Sequence, residues 1–220
     1  MLNYFLEYNE SGGQLKTPGI ILFVAIIITA LLTLSILSGK KNRQTISTKQ
    51  LAFSSICMAL AFALSNVKLF SAPMGGSVTL LSTFFITIVG SMYGTYVGII
   101  TGAAYGLLQL IVNPFLVHPI QILIDYPLAF GALGLSGLFS RSNNGVFKGY
   151  LAGITGRLVF AVISGVVFFA EYAQDQNVFW YSFTYNISYI GIEAIITFAI
   201  LLIPAVRDGI IEIKKMATEA

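Results

Sequence analysis

Long apolar stretches, separated by short polar segments, make up most of this chain. Seven of them approach the roughly 20 residues that a helix needs to cross the hydrocarbon core of a bilayer. With Pro, Gly and charged residues taken as their ends, they occupy residues 19–37, 51–66, 78–92, 96–112, 119–139, 149–170 and 185–203. The pattern predicts seven transmembrane helices. The few residues around Gly94 predict a tight hairpin between the third and the fourth, or one long broken helix.

Composition narrows the class of protein. Hydrophobic residues make up 56% of the chain and charged residues only 10%. A soluble domain cannot bury this much apolar surface, so the composition predicts an all-α integral membrane protein. The net charge of +3 comes from basic residues in short inter-helix segments, which predicts a role in topology and argues against nucleic acid as a partner. Cys57 is the only cysteine, so an intramolecular disulfide is excluded.

Lys and Arg cluster after the first, fifth and seventh apolar stretches, which all end on the same side of the membrane. These residues are Lys40, Lys41, Arg43, Lys49, Arg141, Lys148, Arg207, Lys214 and Lys215. The positive-inside rule therefore predicts a multi-pass plasma-membrane protein with its N-terminus outside and its C-terminus in the cytoplasm. One outer loop carries Gly75 and Gly76, whose backbone freedom suits either a lid over a bound molecule or a plain turn.

Three ionisable residues, Asp125, Arg157 and Glu193, fall inside apolar stretches. Charge within a bilayer is costly, and such residues usually face a cavity, a partner or a transport path. His118, Gln121 and Asp125 are spaced to share one helix face, which predicts a ligand site there. The alternative is an Asp125–Arg157 pair that pins two helices together. Glu193 has either a structural role or a pairing with Arg157.

Aromatic residues gather toward the predicted outer side. They are Phe168, Phe169, Tyr172, Phe179, Trp180, Tyr181, Tyr185 and Tyr189. An interfacial aromatic belt is the ordinary interpretation, and a stacking site for a flat, cationic ring is the sharper alternative. Tyr181 and Asn186, an aromatic and an amide at the mouth of the seventh stretch, favour the second interpretation somewhat.

The second apolar stretch carries small residues at Ser55, Ala59 and Ala63. Spacing of four places them on one helix face, where small side chains let another helix approach closely. That face either docks a partner protein or packs internally.

Several catalytic motifs are missing. The sequence contains no GxxxxGK[ST] phosphate loop, no HExxH motif and no cluster of Cys and His residues. It therefore predicts no catalytic residue, no metal site and no cofactor. Without a phosphate loop the chain cannot hydrolyse a nucleotide by that route, so energy for any transport has to come from elsewhere.

From about residue 48 to residue 204 the chain resembles the substrate-binding S components of energy-coupling factor transporters, and most closely their thiamine-specific branch. The matching stretches are residues 50–65, 74–80, 105–109, 118–130 and 181–186. Asp125-Tyr-Pro-Leu-Ala-Phe and Tyr181-Ser-Phe-Thr-Tyr-Asn are the more specific ones. The resemblance implies a six-helix S-component core with one extra N-terminal transmembrane helix.

The resemblance also implies partners and a domain division. An S component binds its vitamin near the outer surface under a lid, and it associates with a transmembrane coupling protein and two cytoplasmic ATPase subunits. Residues 1–45 would hold an outside segment, the extra helix and a basic linker. Residues 46–207 would form the substrate-binding domain, and residues 208–220 a cytoplasmic tail.

By resemblance, Asp125 falls on the carboxylate against the thiamine ring system, Tyr105 on the ring-stacking position and Arg157 on the basic residue near the phosphate-bearing end. The full set of expected ligand-binding residues is Tyr105, His118, Gln121, Asp125, Tyr126, Arg157, Gly165, Phe169, Tyr181 and Asn186. The expected lid residues are Met74, Gly75 and Gly76, and the expected coupling-protein docking residues are Ser55, Ala59 and Ala63.

The chain departs from the thiamine branch at several positions, of which an aspartate in place of a glutamate is the mildest change. Ala161 and Phe169 stand where a histidine and a tryptophan are typical, and Gly76 and Leu80 stand where some members have a tryptophan and an acid. An S component for another flat heteroaromatic vitamin, such as a vitamin B6 form, is therefore the alternative. A secondary carrier with Asp125 as its proton-coupling acid, and a scaffold whose buried charges only pair, are further alternatives.

Overall fold

The structure, a computed structural model, describes residues 6–9, 12–15 and 45–218. The predicted helix at 19–37 lies outside these residues, as do Lys40, Lys41 and Arg43. Near the N-terminus, strands β1 (Leu6–Asn9) and β2 (Gly12–Leu15) form an antiparallel pair.

Helices dominate the rest of the described chain. They are α1 (Thr48–Ser65), α2 (Ser82–Tyr93), α3 (Thr95–Val112), α4 (Pro119–Phe139), α5 (Gly145–Phe168), α6 (Val178–Leu201) and α7 (Pro204–Thr218). Five of them, α1, α3, α4, α5 and α6, are long and apolar enough to cross a membrane, and α2 is a shorter apolar helix. These six correspond to the predicted core, and the prediction of an all-α membrane protein is confirmed.

Glycine decides how α2 and α3 meet. Gly94, at a φ of +91°, ends α2 and precedes α3, and this backbone conformation is one that other residues rarely adopt. Four residues to either side, Gly90 and Gly98 pack against each other so closely that a Cβ on Gly98 would lie 2.7 Å from the Gly90 Cα. The two helices therefore form the tight hairpin, and the alternative of one long broken helix is wrong.

Helix α4 is irregular where the ligand site was expected. Residues Ile124–Leu128 form a π turn that contains Pro127, and the helix tightens to 3₁₀ geometry over Ala132–Phe139. Proline lacks the N–H that an α-helix needs, and a π turn accommodates it because the Ala129 N–H reaches back to the Ile124 carbonyl. Apolar periodicity alone predicted a regular helix here.

The start of the stretch predicted at 78–92 is not helical. Strand β3 (Lys68–Ser71) pairs antiparallel with strand β4 (Ser77–Thr79), with a turn at Pro73–Gly75 between them, and α2 begins only at Ser82. The hydrophobic run concealed this boundary because Val78 is buried in the strand just as it would be in a helix. The β3–β4 hairpin is important for the site described below.

Helix α7 occupies most of the segment that was assigned to a tail. The Lys214 Nζ donates a hydrogen bond to the Ser140 carbonyl (3.1 Å), just beyond the end of α4. The Tyr93 Oη donates to the Ala217 carbonyl (3.1 Å). These bonds hold α7 across the ends of α2 and α4, at the end of the bundle where the basic residues were predicted to gather.

Candidate ligand-binding site

A cavity of about 180 Å³ lies between α3, α4, α5 and α6, beneath the β3–β4 hairpin. The predicted site residues that line it are Tyr105, Gln121, Asp125, Tyr126, Arg157, Gly165, Phe169, Tyr181 and Asn186, with Met74, Gly75 and Gly76 of the expected lid. Nearly all of the predicted residues are thus brought together from four helices and one hairpin. The wall combines aromatic rings with many polar side chains, so it can form both stacking contacts and hydrogen bonds with a small molecule.

The Asp125 carboxylate is partly buried at the π turn of α4. The Gln121 Nε2 donates to its Oδ2 (2.6 Å), and Gln121 also bonds the backbone of Phe115 and Val117. In the described part of the chain no basic side chain lies within ion-pair distance of Asp125, so the alternative, a pair with Arg157 that joins two helices, is absent. A carboxylate in a cavity without a cationic partner suits a cationic ligand.

Arg157 interacts with an aromatic ring instead. Its guanidinium carbon lies 4.4 Å from the centre of the Phe130 ring, which is cation–π geometry. The same ring contacts the Tyr105 ring edge-on, with the centroids 5.2 Å apart. Arg157 therefore brings a positive charge to the cavity wall, and it forms no ion pair with the residues that the structure describes.

Two tyrosines of the site use their hydroxyl groups to fix the cavity wall. The Tyr105 Oη donates to the Ala61 carbonyl of α1 (3.2 Å) and accepts from the Gln109 Nε2 (2.6 Å). The Tyr126 Oη accepts from the Phe115 N–H (2.8 Å) and donates to the Asn113 carbonyl (3.2 Å). Their rings are consequently held in place before any ligand arrives.

On α6 the residues Tyr181, Tyr185 and Tyr189 follow one another at intervals of four and all line the cavity. The Tyr189 Oη donates to the Asn186 Oδ1 (2.6 Å), and the Asn186 Nδ2 donates to the Ala161 carbonyl of α5 (3.3 Å). Asn186 thus links the two helices that form this wall.

Gly165 lets α5 and α6 come together at the same level. A Cβ at this position would collide with the Ser182 Oγ of α6. Gly165, which was expected to bind the ligand, therefore allows the two helices to approach each other closely, and it also lines the cavity.

The aromatic cluster of the sequence divides into two groups. Tyr181 and Phe169 line the cavity, whereas Phe179 and Trp180 do not, and the Trp180 side chain is 62% exposed. Trp180 contacts Phe179 and Phe183 at the N-terminal end of α6. The two interpretations therefore apply to different residues: the exposed rings suit an interfacial belt, and the inward rings suit a stacking surface.

The tip of the β3–β4 hairpin closes over the cavity. The Tyr185 Oη donates to the Pro73 carbonyl and accepts from the Gly76 N–H (3.1 Å). Met74 and Gly75 both have positive φ, which makes the tight turn at the tip. The segment is therefore a structured hairpin rather than a plain turn, and its position is that of a lid.

His118 does not line the cavity, contrary to the expectation from helical spacing. Its Nδ1 accepts from the Ile120 N–H (3.1 Å) at the start of α4, and its ring stacks on Phe168 with the centroids 5.2 Å apart. His118 precedes the helix in extended conformation, so the i, i+3, i+4 rule does not apply to it. Gln121 and Asp125, both within the helix, do share a face.

Sequence reasoning missed several residues of the cavity wall. Phe130, Gln109 and Ser164 all line it, and Ser164 carries a buried Oγ with no hydrogen-bond partner among the residues that the structure describes. Gln109 lies one turn from Tyr105, and Ser164 lies beside Gly165. Their spacing from the predicted residues is the signal by which the sequence could have identified them.

Gly76 provides a test of lid closure. A Cβ there would lie 2.7 Å from the Tyr185 Oη and 2.9 Å from the Tyr189 ring. We expect Gly76→Ala to displace the Tyr185 hydroxyl and to weaken ligand binding about tenfold, because the lid loses its hydrogen bonds at the tip. Titration calorimetry measures this. Gly209→Ala, where no atom lies within 4 Å of the new Cβ, is the control, and equal affinities for the two variants would contradict the expectation.

Fold and site together define a class: a membrane protein with a polar and aromatic cavity beneath a hairpin. Comparison with known proteins identifies the family. The family model described as "Thiamine transporter protein (Thia_YuaJ)" matches residues 51–211. The chain belongs to this family, which confirms the resemblance seen in the sequence and makes it a transport protein rather than an enzyme.

Individual relatives agree with this assignment. The thiamine transporter ThiT of Bacillus subtilis is 32% identical over 180 residues, covering 74% of this chain and 91% of that protein. ThiT of Lacticaseibacillus paracasei is 31% identical over 103 residues, covering 39% and 51%. A solved structure of ThiT from Listeria monocytogenes shares the fold with a TM-score of 0.53 at 23% identity, covering 76% of this chain and 92% of that chain.

Proposed function

We propose that this protein is the substrate-binding S subunit of an energy-coupling factor transporter and that it binds thiamine in the cavity beneath the β3–β4 hairpin. The observation that carries the proposal is the Asp125 carboxylate, which faces an aromatic cavity and has no basic partner among the described residues. Thiamine is an organic cation in which an aminopyrimidine ring and a positively charged thiazolium ring are joined by a methylene group. A carboxylate and stacking rings match its charge and its shape.

The cavity residues divide the work of recognition. Asp125 accepts hydrogen bonds from the aminopyrimidine, and Tyr105 and Tyr181 contact the rings. Arg157, held on the Phe130 ring, lies on the wall for the hydroxyl or phosphate end of the ligand. Phe169, stacked on Phe115 with centroids 6.0 Å apart, supplies an aromatic surface where other members have a tryptophan.

The energy for uptake comes from partner proteins in this proposal. Ser55, Ala59 and Ala63 are all exposed on α1, so this face is not covered by the described part of the chain. We propose that it docks the transmembrane coupling protein, which links the subunit to two cytoplasmic ATPase subunits.

The proposed orientation has the N-terminus outside and the C-terminus in the cytoplasm. It is supported by Lys148, Arg141 and Lys214, which gather at one end of the bundle, and by the lid at the other end. We retain the division into residues 1–45, 46–207 and 208–220 as part of the proposal, with α7 joining the domain to the final segment.

Titration calorimetry of the purified protein tests the ligand. We expect saturable one-to-one binding of thiamine and no binding of pyridoxine under the same conditions. Calorimetry is preferable to tryptophan fluorescence because the exposed Trp180 does not line the cavity. Binding of pyridoxine but not of thiamine would support the vitamin B6 alternative. If neither compound binds, the assignment of the cavity as a vitamin-binding site is contradicted.

Reconstitution distinguishes the proposal from a self-sufficient carrier. In proteoliposomes that contain this protein without ATPase partners, we expect no thiamine uptake when a proton gradient is imposed. Gradient-driven uptake would instead identify Asp125 as a proton-coupling acid and would overturn the S-subunit assignment.

A further inference from the structure

Glu193 is a carboxylate that the ligand site does not use. It lies in the membrane-spanning helix α6, its side chain is only 3% exposed, and it is not part of the cavity lining. The sequence left two interpretations open, a structural role or a pairing with Arg157. No basic side chain of the described residues lies within ion-pair distance of it, so the pairing is absent.

Five hydrogen-bond donors surround this carboxylate instead. Its Oε2 accepts from the Thr79 Oγ1 (2.8 Å) and the Thr79 N–H (3.3 Å). Its Oε1 accepts from the Thr83 Oγ1 (2.8 Å), the Thr83 N–H (3.2 Å) and the Ser82 Oγ (3.3 Å). All five donors belong to the junction between strand β4 and helix α2, a cluster that we name the Glu193 clamp.

The backbone explains why the junction needs an acceptor from elsewhere. Leu81 occupies the N-cap position of α2 in left-handed conformation and has no side-chain capping bond. The first N–H groups of a helix lack partners within the helix, and the helix dipole favours a negative charge beside them. The Glu193 carboxylate supplies both the acceptor and the charge, so that α6 caps α2.

The same face of α6 also holds the tip of the lid. Tyr185, Tyr189 and Glu193 follow at intervals of four, so Tyr185 and Glu193 are separated by about 12 Å along the helix. Strand β4 and Gly76 cover a similar length, about 10 Å. The hairpin therefore lies along α6 and is attached at two points: Tyr185 holds the tip and the Glu193 clamp holds the base.

The two attachments differ in strength. The clamp has five bonds to a charged acceptor in a buried site, where such bonds are strong and costly to break. The tip has two bonds to one half-buried tyrosine hydroxyl. On opening, the tip is expected to detach first.

We propose that Glu193 is a positioning residue for ligand binding, the fixed base about which the β3–β4 lid opens and closes. The lid opens when the bonds at Tyr185 break, while the segment from Thr79 to Thr83 stays on α6. The part of this inference that concerns the ligand rests on the proposed thiamine-binding function. The part that concerns the hinge does not.

Hydrogen exchange of the ligand-free protein, resolved to single residues, tests the hinge. In the wild type, the Gly76 amide is expected to exchange faster than the Thr79 and Thr83 amides. Glu193→Gln is expected to accelerate exchange at Thr79 and Thr83 about tenfold or more, because an amide cannot accept all five bonds. Equal exchange at Gly76 and Thr79 in the wild type, or no acceleration in the variant, would overturn the proposal.

Control variants separate the clamp from a general loss of stability. Thr197→Val changes a fully buried residue one turn further along α6 and is expected to leave exchange at Thr79 unchanged. If Glu193→Gln fails to fold, the pair Thr79→Val and Thr83→Val takes its place, because it removes two hydroxyl donors and leaves the carboxylate. That pair is expected to accelerate exchange at the same amides, and unchanged exchange would count against the clamp.

Release kinetics test the effect on the ligand. In Glu193→Gln the dissociation rate of thiamine is expected to rise about tenfold with a smaller change in the association rate, since a loosened lid retains its ligand less well. When Thr79→Val and Thr83→Val are already present, adding Glu193→Gln is expected to raise the dissociation rate by a smaller factor. An unchanged dissociation rate together with accelerated exchange would overturn the positioning role. If the wild type binds no thiamine, the exchange experiment still decides the hinge.

Discussion

Replacing Asp125 by Asn is expected to lower thiamine affinity about 100-fold or more while the protein remains folded. The change removes the only acidic group that lines the cavity within the described residues and leaves a side chain of the same shape. Asn still accepts the bond from the Gln121 Nε2, so α4 keeps its local structure. The lost interaction is that between a carboxylate and a cation in a partly desolvated site, which is worth several kcal/mol.

Titration calorimetry on the purified variant measures this loss, and the thermal unfolding midpoint verifies the fold. Asp175→Asn is a matched control, since Asp175 is exposed on the loop before α6 and does not line the cavity. Unchanged affinity in Asp125→Asn would show that the carboxylate does not recognise the ligand, and the cavity would then need another cation-binding group.

Changing Ser55 and Ala59 together to Leu is expected to abolish ATP-driven uptake and to leave thiamine binding unchanged. Both residues are exposed on α1, and the Ser55 hydroxyl bonds the Leu51 carbonyl within the helix (2.9 Å), so bulkier side chains cause no clash inside the bundle. On a docking face, two leucines would hold a partner helix several ångströms away, because close helix packing in membranes depends on small residues.

Copurification with the coupling protein and the ATPase subunits measures the docking, and calorimetry measures binding. Ala104→Leu is the control, since Ala104 is an exposed alanine of α3 and offers the same change at a different face. An intact complex in the double variant would assign docking to another surface.

The exposed faces of the helices explain why the spans were predictable. Large apolar residues such as Leu51, Ile56 and Ile195 are exposed on the outside of the bundle, where lipid replaces the protein core. The length of an apolar stretch therefore predicts a helix in this chain, whether its side chains pack against other helices or face lipid. The same insensitivity concealed the β3–β4 hairpin, because Val78 is apolar in both structures.

The charged residues show where sequence reasoning stopped. Asp125 and Glu193 raised the same expectation, since each is an acid inside an apolar stretch. The structure places the first in a ligand cavity and the second in a cluster of hydrogen-bond donors from another element. No local pattern distinguishes them, because the difference lies in residues distant along the chain.

The sequence by itself determined the membrane environment, the approximate positions of the five long apolar helices and, through its resemblance to a family, twelve of the residues that line the cavity. These follow from hydrophobic length and from motifs, which are properties of single segments. Only the tertiary structure decided that Arg157 stacks on Phe130, that His118 does not line the cavity and that Glu193 accepts hydrogen bonds from the start of α2. Periodicity tells which side chains share a helix face, but the group that meets each face depends on how the helices pack against one another.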